Sequence, residues 1–305
     1  MPQAQEEIIG KLSDEVIAKI RRISINTAKI VQETFAGQYQ SVFKGRGMEF
    51  DSVREYQPGD EIRSIDWNVT ARTGRLQVKK FVEERELSVM LLLDASSSAG
   101  FGSRDKLKSE LAAEICSVIA FSAIYNKDNV GLFIFTDNVE KALPPRKGTN
   151  HVLRVIREAL VFKPKGTATD ISEALAYLNK VMHRRAVCFI ISDFLTEGYQ
   201  ESLSIANRRH DIIAIRIIDP REMELPNVGV VVLDDAETKE QAVADTSSAA
   251  FRDKYRDQSL NRLRTQEEFF ASSGIDNIDI YTDTPYVDSL VKFFRMREKR
   301  LSRGF

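Results

Sequence analysis

Leu87-Ser88-Val89-Met90-Leu91-Leu92-Leu93-Asp94-Ala95-Ser96-Ser97-Ser98 is the stretch on which the fold turns. The run from Leu87 to Leu93 is too short and too apolar for anything but a buried core strand. Where it stops, a carboxylate and hydroxyls at alternate positions arrive together. Asp94, Ser96 and Ser98 make a D-x-S-x-S pattern, and hard divalent cations take oxygen sets of this kind. Alone, the pattern also fits a metal-free polar turn whose serines cap the helix that follows.

Outward from this strand, helices and strands alternate. Asp105 to Asn126 carries Leu107, Leu111, Ile115, Val118, Ile119 and Ala123 on one broad face, which predicts a helix. Asn129 to Thr136 reads as a strand, with Asn138 to Leu143 as a short hairpin partner. Helices are expected over Asn150–Val161, Ile171–His183 and Gln200–Arg209. Further strands are expected over Ala186–Ser192, Asp211–Ile218 and, last, Ile278–Tyr281. Strands alternating with helices of this length imply an α/β fold, a doubly wound and mainly parallel sheet covered on both faces. The strands at Leu87 and Ala186 should be neighbours in it.

In such sheets ligands bind beyond the carboxyl ends of strands, where the strand order reverses. Two more polar groups belong there. One is Gly166-Thr167-Ala168-Thr169-Asp170, entering the helix at Ile171; the other is Ser192-Asp193-Phe194, directly after a core strand. A polar turn explains Ser96 or Ser98 alone, but not Thr169 and Asp193 as well.

Ahead of the sheet lie two shorter regions. Residues 1–42 hold one helical pattern, with Ser13 as N-cap and Leu12, Val16, Ile20, Ile23, Thr27 and Ile30 on one stripe. Residues 43–86 mix apolar alternation with glycine and charge, and Pro58-Gly59-Asp60 is a strong turn signal. Short strands and turns are expected here, not a helix. Trp67, the one tryptophan, lies beside Asp66 and between Arg63 and Arg72. A buried aromatic anchor held by ion pairs is the expectation, with a recognition surface as the alternative. The sheet domain then occupies residues 87–300.

Composition narrows the function. The 305 residues carry a net charge of −1, so no global basic field favours nucleic acid, and the basic pairs Arg184-Arg185 and Arg208-Arg209 lack interleaved aromatics. Cys116 and Cys188, both in apolar runs, suggest buried reduced thiols. No apolar stretch approaches the ~20 residues of a membrane helix, and the acidic start lacks signal-peptide character. A cytoplasmic protein without direct membrane insertion is expected. His151, His183 and His210 sit at or near helix ends, read as surface or capping residues, and have no zinc spacing. No Walker-type phosphate loop occurs. Asp94 as nucleophile of a Mg-dependent phosphatase of haloacid-dehalogenase type is the enzymatic alternative, but that chemistry wants a second acid where Ser96 stands.

Taken in order, Asp94-Ala95-Ser96-Ser97-Ser98, Thr169 and Asp193 resemble a von Willebrand factor A-type domain with a metal-ion-dependent adhesion site, over roughly residues 87–295. The resemblance implies that Ser96 and Ser98 ligate Mg²⁺ or Mn²⁺ directly and that Thr169, or Thr167 in its place, adds an oxygen. It implies that Asp94 and Asp193 act through waters or hydroxyl hydrogen bonds. Neutral hydroxyls leave Mg²⁺ poorly neutralised, so its sixth position would take a Glu or Asp carboxylate from a protein partner.

Earlier in the chain, G-x-E-F at Gly47, R-x-Y-x-P-G-D at Arg54 and R-x-I-D-W at Arg63, followed by Ala71-Arg72, resemble the family called domain of unknown function 58. That resemblance implies a partner among bacterial MoxR-type AAA+ ATPases and a non-catalytic adaptor or co-chaperone role.

Overall fold

The computed structural model describes Thr27, Ile30, Val31, Tyr39, Val42, Phe43 and residues 49–82, 87–103, 107–234 and 240–302. The expected helical stripe from Leu12 to Ile23 lies outside the described residues. The chain divides into two units, one of residues 43–87 and one of the remainder.

In the smaller unit, β1 (Glu49–Glu55) pairs antiparallel with β2 (Gln77–Val82). Between them Gly59 takes φ +108°, a value open to glycine, and closes the Pro58-Gly59-Asp60 turn. The expectation that no helix forms here is corrected: α1 spans Trp67–Thr73. The Asp66 carboxylate accepts from the backbone N–H groups of Asn68 (3.0 Å) and Val69 (3.1 Å), and Gly74 ends the helix at φ +68°. Seven residues are too few to display a helical period, but an aspartate cap and a glycine stop were both legible.

In the larger unit, β3 (Ser88–Asp94) is followed by α2 (Lys108–Tyr125), β4 (Asn129–Phe135), β5 (Val139–Arg146) and α3 (Thr149–Val161). Then come α4 (Ile171–Val181), β6 (Val187–Ser192), α5 (Gln200–Arg209), β7 (Asp211–Ile218) and the single turn α6 (Pro220–Met223). A hairpin of β8 (Val230–Asp234) and β9 (Gln241–Asp245) precedes α7 (Ala249–Ser272), β10 (Asp276–Tyr281) and α8 (Tyr286–Ser302). The sheet order is β10-β7-β6-β3-β4-β5, parallel except for the edge strand β5. This is a doubly wound sheet, and β3 pairs with β6 from Val89↔Val187 to Leu93↔Ile191. The chain runs from β3 toward one edge and returns through β6 toward the other, so the order reverses between these two strands.

The inner strands β3, β4, β6 and β7 are buried on both faces, as their unbroken apolar runs require. Met90, Leu92, Phe133, Phe135, Cys188 and Ile190 pack beneath Ile171, Leu175 and Leu178 of α4. Both cysteines are free and buried, and burial pushes their thiols well above the usual range. His210 corrects the surface reading of the histidines: it closes α5 but is buried, with Nδ1 accepting from the Ala186 N–H at 3.3 Å. The hairpin β8–β9 and the helices α7 and α8 were not foreseen. Of the 24 residues of α7 only Ser259 and Phe270 are buried, so no apolar stripe announces it.

Candidate functional site

The carboxyl ends of β3 and β6 deliver Asp94 and Asp193 side by side, and the loop before α4 reaches the same point. Asp94 is buried at the last position of β3. Its Oδ1 accepts from the Ser96 N–H (3.0 Å) and its Oδ2 from the Ser192 hydroxyl (2.6 Å). Burial, then the neighbouring Asp193, raises its pKa from 3.8 to about 6, against the pull of these donors. The Asp94 carboxylate thus both sets the turn, through the Ser96 N–H, and ties it to the end of β6, through Ser192.

Ser96 and Ser98 are buried with their Oγ atoms 3.1 Å apart. Neither is spent on capping: Ser96 precedes the short 3-10 turn Ser97–Gly100 and makes no side-chain cap bond there. Two adjacent ligands of an octahedral Mg²⁺, each at about 2.1 Å, stand about 3 Å apart. The hydroxyl pair therefore has the spacing to share one cation. Among the described residues no group of three or more acidic, histidine or cysteine side chains could hold a metal. A cation here would rest chiefly on hydroxyls.

Loop 162–170 is fastened to this point from several sides. The Ser97 N–H donates to Thr167 O (3.0 Å), and the Thr196 hydroxyl donates to Thr169 O (3.1 Å). Thr169 is buried. Asp170 donates its N–H to Thr136 O (2.8 Å), just past β4, and caps α4 through the Glu173 N–H (3.0 Å). Glu140, on β5, takes the N–H groups of Lys165 (2.9 Å) and Gly166 (2.9 Å) and the Thr136 hydroxyl (2.8 Å). These donors outweigh desolvation and hold its carboxyl below the usual range. A Cβ on Gly166 would lie 2.4 Å from both Thr136 Oγ1 and Asp137 Oδ1, so the loop seats only as glycine.

The turn after β6 is equally constrained. Phe194 adopts φ +55°, strained for a bulky residue, directly after Asp193. Its N–H donates to Ser192 Oγ (3.0 Å), its carbonyl accepts from Gln266 Nε2 (2.6 Å), and its ring meets Tyr199 and Phe270 edge-on. Gln266 in turn accepts from the buried Arg216 (2.7 Å), which forks onto Asp279. The turn that aims Asp193 is thereby tied to β7, β10 and α7.

Lys108, the first residue of α2, was not singled out from sequence. It is 2% exposed, and its Nζ donates to Asp193 Oδ2 (2.6 Å) and Glu222 Oε1 (2.5 Å). Burial lowers its pKa, but Asp193 and Glu222 outweigh that and raise it overall. Glu222 itself is shifted upward, chiefly by burial. A cavity of about 10 Å³, enough for one water-sized occupant, is lined by Asp94, Ser98, Lys108 and Asp193. On the other side of Ser96 opens a cleft of about 300 Å³, lined by Ala95, Ser97, Ser109, Glu110, Phe162 and Pro164. Asp94, Ser96, Ser98 and Asp193 stand at the carboxyl ends of β3 and β6, and the loop carrying Thr169 is hydrogen-bonded to the turn after each; the lysine counter-charge, Glu222 and the Glu140 clamp are additions. Ser192 was visible beside Asp193, but nothing near Lys108 in sequence announces its role.

Fold and site define a class, an α/β domain with a hydroxyl-lined site at the switch point of a doubly wound sheet. Within it, the profile described as "Protein of unknown function DUF58" matches residues 52–265, and the chain belongs to that family. It is similar to the uncharacterized protein Rv1480 of Mycobacterium tuberculosis, 30% identical over 300 residues, 97% of this chain and 94% of that one. Among solved structures it is similar to the conserved hypothetical protein BatB from Bacteroides thetaiotaomicron (14% identity, 70% of this chain, 99% of that one, TM-score 0.45). It is also similar to the SpRpn10 VWA domain (16% identity, 68% and 94%, TM-score 0.37). At these scores neither structural likeness says what the chain does.

Proposed function

We propose that this chain is a non-catalytic, metal-dependent protein-interaction module of von Willebrand factor A type. Ser96, Ser98 and Thr169 would hold Mg²⁺ or Mn²⁺, with Asp94 and Asp193 supporting from behind, and a Glu or Asp carboxylate of the partner would complete the shell. The observation that carries this reading is the buried Ser96–Ser98 hydroxyl pair, 3.1 Å apart and free of capping duty. The cleft beside Ser96 offers the partner's carboxylate a way in. When bound, the ion supplies Lewis acidity toward an incoming carboxylate. The protein's own part is to hold the two hydroxyls together and keep both aspartates oriented.

The partner of first choice is a MoxR-type AAA+ ATPase, by the motif resemblance, with this chain as its adaptor or co-chaperone in the cytoplasm. Among the described residues no helix is long and apolar enough to cross a membrane. The phosphatase alternative finds less support. Both Asp94 oxygens accept hydrogen bonds, and Lys108, the buried cation nearby among the described residues, is already taken by two carboxylates. Among the described residues a phosphate would meet no unpaired buried ammonium beside Asp94.

The test is thermal unfolding with and without Mg²⁺ or Mn²⁺, joined to capture of a purified MoxR-type ATPase with ion or chelator. A ligand at 100 times its Kd stabilises the native state by about 2.7 kcal/mol, so the melting temperature should rise with metal. Ser96→Ala should remove that rise and the capture together. Equal metal responses in wild type and variant would overturn the site, and metal-dependent hydrolysis of a phosphomonoester lost in Asp94→Asn would overturn the adaptor role.

A further inference from the structure

Among the described residues of the unit 43–87, two sets of side chains behave differently. One set builds the unit. Arg54 forks onto Asp60 (2.7 and 2.6 Å), Asp60 also takes the Gln57 N–H (2.8 Å), and Arg75 pairs with Glu55 (2.7 Å). Asp66 caps α1, and Ile65 is buried in a bridge to Val78. The other set does none of this. Trp67 is 63% exposed and Ile62 is 68% exposed, which corrects the expectation of a buried anchor. Arg63 and Arg72 are exposed and make no hydrogen bond or ion pair among the described residues.

These outliers fall in one short stretch of chain, Ile62 to Arg72. Ile62 and Arg63 lie in the 3-10 turn that leads through Ile65 and Asp66 straight into α1, of which Trp67 is the first residue. Ala71 stands one turn beyond Trp67 on the same helix face and is too small to cover the indole. Leu76, also exposed, adds apolar area at the strand that receives the Asp66 N–H through Gln77. An uncovered indole and isoleucine beside two unanswered guanidinium groups is the composition of an interface hot spot, where Trp and Arg dominate. Arg63 and Arg72 stand against Asp66 and the adjoining Glu61. Asp66 is held by the α1 N-terminus and by Lys79 (3.9 Å), so one positive charge is left over and favours an anion.

We propose that the Ile62–Arg72 stretch is a docking surface for an acidic segment of a protein partner. An apolar side chain of that segment packs on the Trp67 indole and Ile62, while its carboxylates meet Arg63 and Arg72 in the bidentate manner guanidinium favours. Single-stranded nucleic acid would also use an indole and arginines, but such grooves stack successive bases on several aromatics along a continuous basic track. Here there is one tryptophan and a chain of net charge −1. The surface belongs to the smaller unit and the switch-point site to the larger, and none of the surface residues is an expected metal ligand.

Trp67 is the sole tryptophan, so emission excited at the red edge, where the eight tyrosines do not absorb, reports this surface. The experiment pans the full chain, in chelator, against a random twelve-residue peptide display library and titrates the strongest selected peptide while reading that emission. Expected are sequences rich in Asp and Glu around Leu, Ile or Phe, and a blue shift on titration. Affinity should fall at least tenfold in Arg72→Glu and in Trp67→Ser, the latter read by peptide anisotropy, and Ser96→Ala should change nothing. Both exposed-site variants should keep the wild-type circular dichroism and melting temperature. Selected peptides without acidic enrichment, or binding unchanged by Trp67→Ser and Arg72→Glu, would overturn the proposal. A shift driven by oligo-dT and lost in Arg72→Glu would assign the surface to nucleic acid instead. Loss of metal response in Ser96→Ala bears only on the switch-point site, so the two readings fail separately.

Discussion

At the end of β3 the charged and hydroxyl side chains are buried and answer one another, whereas along Ile62–Arg72 the cations and the indole face water. Lys108 has two carboxylates within 2.6 Å, while Arg63 and Arg72 have none among the described residues. The contrast follows from desolvation. A buried charge must find partners or destabilise the fold, so those partners are part of the architecture. An exposed charge carries no such demand, and one left beside an uncovered tryptophan remains available to a second molecule. The interior site acts through what it is built to hold, the exterior one through what it leaves open. Charge alone does not mark a functional residue; its burial decides which kind of role it has.

Substitutions can break or sharpen this division. The largest effect is expected from Lys108→Met, which strands Asp193 and Glu222 in the interior. Loss of one partner from a buried ion pair costs about 3–5 kcal/mol, read as a lower urea midpoint at unchanged slope. A variant as stable as wild type would show that Lys108 is not what balances this site. Next is Gly166→Ala, whose Cβ has no room beside Thr136. Overpacking of this kind costs about 1–3 kcal/mol, and the displaced Thr169 loop should take the Mg²⁺ response with it. Gly100→Ala, with nothing within 4 Å of the added Cβ, serves as the silent control.

On the exterior side the expected effects shrink. Asp66→Ala removes the α1 cap, and such losses run about 0.5–2 kcal/mol. It should lower the melting temperature modestly without touching metal binding. Smallest of all is Trp67→Ser, expected within about 0.5 kcal/mol of wild type because the side chain is surface-exposed. A clear destabilisation there would return Trp67 to the role of anchor and erase the contrast between the two regions.

Much of the fold is legible in the sequence. The apolar runs at Ser88 and Val187 could be nothing but buried parallel strands, and a strand that ends must deliver its next residues to the sheet's carboxyl edge. Asp94, Ser96, Ser98 and Asp193 follow from that rule, and so does the loop Gly166–Asp170, but choosing Thr169 within it, with Thr167 as the substitute, rests on the family resemblance. The short helix α1 was legible in its cap and stop but hidden by its length. Helix α7 was hidden by having almost no buried face.

What only the tertiary structure decided is which polar groups meet across the fold. Lys108 reaches Asp193 and Glu222 across 85 and 114 positions, and Glu140 clamps a loop 26 positions on. No local pattern encodes such meetings, because period and turn chemistry act over a few residues while ion pairing acts through space. Exposure is decided the same way. The residues around Trp67 state that an aromatic stands among charges, but whether it is covered depends on what packs above it, and here Ala71 leaves it open.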